Sequence, residues 1–127
     1  MTIRYLFLLC LALVLACPER DRLTGPIGGN GVGPEITISD PPQDVTMQAG
    51  SAIFIRGVAF DEDGVDSVFY DDMTRLVSLP AGGVPRAEFA IPVDLFGAAG
   101  DTIRIVIYAA NLQQVRGDQV TRRILLR

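Results

Sequence analysis

The stretch "IFIRGVAFDEDGVDSVFY", Ile53–Tyr70, decides the fold. Its first half alternates, with Ile53, Ile55, Gly57 and Ala59 on one side and Phe54, Arg56, Val58 and Phe60 on the other. That period of two belongs to an extended strand with one buried face. "DEDG" then reads as a turn closed by Gly, and "VDSVFYD" as a second strand. The same pattern continues outward in both directions. Upstream, "EITIS" alternates, "DPPQ" turns the chain and "DVTMQAG" begins again. Downstream, "TRLVSL" is a strand candidate stopped by the breaker "PAGG". "RAEFAIPV" turns Ala87, Phe89, Ile91 and Val93 inward, and Pro92 marks an edge. "DTIRIVIYA" buries Ile103, Ile105, Ile107 and Ala109 and leaves Arg104 and Tyr108 outside, while "QVTRRILLR" buries Val120, Ile124 and Leu126. No segment carries a helical stripe. Roughly seven short strands at spacings of about ten residues predict an all-β protein, an antiparallel β-sandwich.

Composition narrows the chemistry. The 127 residues allow one domain of ordinary size. There is no His and no Trp, and every basic residue is Arg. A nucleophilic Ser therefore lacks its usual His or Lys base, so an enzyme is not expected. The balance of 15 acidic against 11 basic residues argues against a nucleic-acid partner, which requires a basic surface.

The N-terminal region reads as a targeting segment. Arg4 precedes an unbroken apolar run, Tyr5–Ala16, of the length of a signal-peptide h-region and short for a transmembrane span. "VLAC", Val14–Cys17, follows at its end and resembles the bacterial lipobox. The resemblance implies cleavage between Ala16 and Cys17, leaving Cys17 with a thioether-linked diacylglycerol and an acylated amino group. Several acyl chains anchor stably where one is marginal. With Cys10 removed and Cys17 blocked, the mature chain has neither free thiol nor disulfide. Residues 1–16 are then the signal peptide. Residues 17–34, ending in the Gly- and Pro-rich "GPIGGNGVGP", form the lipidated N-terminus and tether, and residues 35–127 form the sandwich. A phosphate-cradling role for "GGNGVG" lacks the strand, Lys and helix it needs.

The globular part resembles bacterial immunoglobulin-like domains of the cell envelope, a pattern shared with fibronectin type III and cadherin-like sandwiches. "IFIRGVAFDEDGVDSVFY" and "GDTIRIVIYAAN", Gly100–Asn111, carry the likeness, together with the C-terminal position of the last strand. Ile103 stands where a tyrosine is frequent, and the last turn, "NLQQVRGDQ", is long. The resemblance implies a binding or structural module of the envelope, held to the membrane by the lipid on Cys17, with a protein or glycan partner. Pro18 after the cysteine, where Asp would signal inner-membrane retention in enteric bacteria, favours the outer membrane.

Two clusters offer alternatives. Asp61, Asp63 and Asp66, with Glu62 between them, supply oxygen ligands of the kind calcium takes. Their spacing misses the calcium-loop pattern "DxDxDG", so a solvated acidic turn is favoured over a calcium-dependent, cadherin-like module, and no cofactor is expected. Asp61 shares a face with Ile55 and Ala59, which aims its carboxylate at the backbone N–H groups of the turn. The second cluster is "RGD", Arg116, Gly117 and Asp118. In fibronectin relatives an exposed loop of this kind binds integrins, which would make the protein a surface adhesin. The competing reading is that Gly117 serves a turn or bulge before the last strand.

Overall fold

The computed structural model describes residues 29–127, and the signal-peptide and lipidation assignments, Cys17 included, lie outside them. Six strands follow in chain order: β1 (Glu35–Asp40), β2 (Val45–Met47), β3 (Ala52–Asp71), β4 (Leu76–Asp94), β5 (Thr102–Asn111) and β6 (Val120–Leu126). No helix occurs among the described residues.

Two of these strands are much longer than the sequence suggests, and the reason lies at their centres. β3 runs through "DEDG" without stopping, and β4 runs through "PAGG". Both stretches were expected to end strands. They act instead as corners, where the ladder between β3 and β4 shifts register between Phe60 and Val65. Gly64 (φ +91°) faces Gly83 (φ +75°), and a Cβ at Gly64 would sit 2.5 Å from the Gly83 carbonyl oxygen. Only glycine takes such a backbone at such a distance without strain. The two strands therefore bend together.

The bend makes the sandwich. The first half of β3 lies between β1 and the second half of β4, all antiparallel. Its second half lies between the first half of β4 and β5, and the sheet continues through β6 to β2, which pairs parallel to β6. Counted by layer, the six strands supply eight segments, three in one sheet and five in the other. "DPPQ" carries the chain from one sheet to the other, and Arg122 of β6 holds it there by donating to the carbonyls of Pro41 (3.0 Å) and Pro42 (2.9 Å).

The core sits between the layers. Ile55, Ala59, Ala87, Phe89, Ile91 and Val93 fill it from the three-stranded sheet, and Val65, Val68, Ile105, Ile107, Ala109, Ile124 and Leu126 from the five-stranded one. The alternation in the sequence assigns these faces correctly except at Val65 and Val68, which a register shift between Val65 and Ser67 brings to the same side, and Ile53, Ile103 and Val120 flank the core half-buried. Burying a side chain of this size contributes about 1.5–3 kcal/mol.

Candidate functional site

One pole of the sandwich gathers the corner of β3, the loop from β5 to β6 and the segment that enters β1. At its centre is Asn111, the last residue of β5 and fully buried. A buried amide requires partners for all its polar atoms. Its Nδ2 donates to the Val32 carbonyl (3.3 Å) and to Asp61 Oδ2 (3.2 Å). Its Oδ1 accepts from the N–H groups of Gln113 (3.0 Å) and Val115 (2.9 Å). One side chain thus fixes three separate pieces of chain.

Asp61, only 5 % exposed, points inward as its strand face requires. Its Oδ1 accepts from the Asp63 N–H (2.8 Å), the turn bond that the sequence anticipates. Asp63 Oδ2 accepts from the Asn30 N–H (3.2 Å), and Asp66 Oδ2 from the Ser67 hydroxyl (3.2 Å). The three carboxylates are thereby engaged in three directions. Among the described residues, no group of three or more His, Cys, Asp or Glu side chains comes together in a way that could hold a metal ion. What the acidic stretch builds is a corner fastened to β5.

The Arg-Gly-Asp stretch occupies the same pole in an unexpected way. The Arg116 guanidinium lies 3.6 Å from the centroid of the Tyr108 ring and donates to Gln119 Oε1 (3.1 Å). Tyr108 in turn stacks on Phe69, centroids 5.0 Å apart. Arg116 is therefore the top layer of a stack on the outer face of the five-stranded sheet, a cation–π contact worth about 0.5–1 kcal/mol at an exposed site. Gly117 donates its N–H to Ala109 (3.0 Å), and any Cβ there would collide with the Pro34 carbonyl. Its glycine is required by that close approach of two backbones, and its φ is not positive. Asp118 is exposed. The segment Asn30–Pro34 is thus packed onto the pole, with Pro34 fully buried, so the attached part of the chain extends ahead of Glu35.

The opposite pole holds a cleft of about 340 Å³ between the β3–β4 turn and the chain after β4, lined by Asp72, Thr74, Arg75, Val93, Asp94, Phe96 and Ile103. Phe96 (79 %) and Met73 (72 %) stand exposed at this end. Burial pushes the Asp72 carboxyl up. Hydrogen bonds from the Thr74 hydroxyl and the Thr74 and Arg75 N–H groups, with the Arg75 charge, outweigh it and hold the group below its ordinary 3.8.

A solved structure of fibronectin(III)-like modules of CbhA from Clostridium thermocellum is similar to this chain, with a TM-score of 0.51 and 19 % identity over 72 % of this chain and 94 % of that one. The chain shares its β-sandwich fold with those modules. An engineered protein also aligns, with a TM-score of 0.47 and 15 % identity over 74 % of this chain and 20 % of its own length. No protein-family model matches the chain, and no curated protein matches it in sequence. Of the side chains that the sequence singles out at the first pole, Asp61, Asp63, Asp66 and Arg116 are engaged by the fold itself, whereas Asp118 is exposed. Asn111 and Tyr108, which organise that pole, carry no motif; the only signal for Asn111 is a polar residue ending an apolar strand.

Proposed function

We propose that the protein is a non-catalytic, lipid-anchored module of the bacterial envelope, with a binding or structural role. The carrying observation is "VLAC", a lipobox-like sequence placed at the end of an apolar run. It precedes a fibronectin type III-like domain whose entering segment, Asn30–Pro34, is bonded to one pole. On this reading the lipid on Cys17 fixes that pole toward the bilayer, and the opposite pole with Phe96 and Met73 points away, toward a protein or glycan partner. The outer membrane is the favoured location, since Pro18 follows the cysteine. The absence of His and Lys and the internal use of Asp61 and Asn111 support a module without catalysis.

Cys17→Ser is expected to abolish incorporation of a palmitate analogue in labelled bacteria and to release the protein from the membrane fraction. Undiminished label in the variant would remove the anchoring. Protease treatment of whole cells then separates a surface location, with cleavage, from a periplasmic one, with protection.

A further inference from the structure

Among the described residues β4 pairs only with β3, which leaves its second half as an edge. Which of its backbone groups are free follows from one bond. The Leu95 N–H donates to the Ser51 carbonyl (2.9 Å), one step beyond the Ala52–Asp94 pair. Hydrogen-bonding direction alternates along an antiparallel ladder. Val93, Ile91, Phe89 and Ala87 therefore face β3, whereas Pro92, Ala90, Glu88 and Arg86 present their backbone groups to the open side. Pro92, having no N–H, costs the ladder nothing there and stops any added strand.

The charges on this edge are self-complementary. Arg86 and Glu88 are exposed on the outer face, two residues apart, and neither belongs to an ion pair among the described residues. An antiparallel two-fold centred on Ala87 sets Arg86 opposite Glu88 of a second copy, and Glu88 opposite that copy's Arg86. Both are hydrogen-bonded positions, so these two residues by themselves close four backbone bonds and two cross-strand charge pairs, with Ala90 able to add to them. Moving the centre to Arg86 or to Glu88 opposes like charges instead. Only one register is thus favoured, and it is isologous.

We infer that this edge pairs with a second copy of the chain, β4 against β4 about Ala87, over Val84–Ala90. The two three-stranded sheets become one of six, in the order β1, β3, β4, β4, β3, β1. Its outer face carries Phe54 and Phe60, about half exposed in each copy, which lie across from Pro92 and Arg86. Charges and a proline on an edge also serve to keep strands apart, and the experiment separates the two uses.

The full chain in density-matched detergent is examined by sedimentation equilibrium through the high micromolar range. A monomer–dimer equilibrium is expected. Arg86→Glu or Glu88→Arg alone makes both cross-strand pairs repulsive and weakens the dimer by about tenfold or more, less so at high salt. The double reversal restores it. Ala90→Pro removes an outward N–H and weakens the dimer while leaving the melting of the dilute monomer unchanged, which separates lost pairing from lost folding. A chain that stays monomeric throughout, or a dimer that survives the single reversals, overturns the inference.

Discussion

Replacing Asn111 with alanine removes one side chain and strands four partners. Two are the N–H groups of Gln113 and Val115, one is the Val32 carbonyl and one is Asp61 Oδ2. The loop N–H groups and the Val32 carbonyl lie near enough to water to recover part of their bonding, so each costs about 1 kcal/mol or less. Asp61 does not, being 5 % exposed, and a bond to a charged acceptor is worth about 1.5–3 kcal/mol. The sum is about 3 kcal/mol, which for a domain of this size lowers the melting temperature by roughly 12–24 °C. Asp61→Ala, losing the Asp63 and Asn111 bonds, costs about 3 kcal/mol by the same reasoning. The decisive quantity is the double variant. Because both single changes remove the same Asn111–Asp61 bond, the double falls short of their sum by about 1–2 kcal/mol. Urea and thermal unfolding followed by far-UV circular dichroism measure all three, since the chain has no Trp to report by fluorescence. Additivity within about 0.5 kcal/mol, or a cost for Asn111→Ala below about 1 kcal/mol, would refute the network as the fastening of this pole.

Ile105→Asp, which puts an unpaired charge at a fully buried position, is expected to unfold the domain, whereas Arg104→Asp on the neighbouring exposed face costs under about 0.5 kcal/mol; similar melting temperatures would reverse the face assignment of β5. Asp72 makes stability depend on acid: its folded carboxyl is held below the ordinary 3.8, so its contribution is present above that pH and lost as pH falls through the folded value. Asp72→Asn is therefore expected to flatten the loss of stability below about pH 4, and an unchanged acid limb would contradict this. Millimolar calcium is expected to leave the melting temperature where it is, because Asp61, Asp63 and Asp66 are bonded in separate directions; a rise of several degrees, reversed by chelator, would show a site at the corner.

The faces of the strands were legible because one buried side per strand forces alternation. Ile55, Ala59, Ala87, Phe89, Ile91, Ile105 and Ile107 lie where the period of two places them. The ends of the strands were not. "DEDG" and "PAGG" carry the residues of a turn, but a strand that passes from one sheet to the other also needs positive φ and a bare backbone at its corner. The two uses draw on the same amino acids, so Gly64 and Gly83 punctuate the sequence without ending anything. Asp61 was partly legible, since its strand face aims it inward. Its partner Asn111 was not, because the contact spans fifty positions of sequence and no local pattern records it. In the same way nothing around "RGD" announces that its arginine rests on Tyr108, or that its glycine is there for the sake of Pro34.

The facing corners at Gly64 and Gly83 also bear on how the domain comes apart. In a sandwich whose sheets are joined only by loops, one layer can fray while the other persists. Here β3 and β4 form a single hairpin that supplies adjacent strands to both layers, with ladder pairs running from Ala52–Asp94 through to Asp71–Leu76. Opening either half exposes the side chains of the shared core and removes a neighbour from β1 on one side or β5 on the other. The layers are thus coupled through covalent continuity as well as through packing, and the natural unit of opening is the whole sandwich.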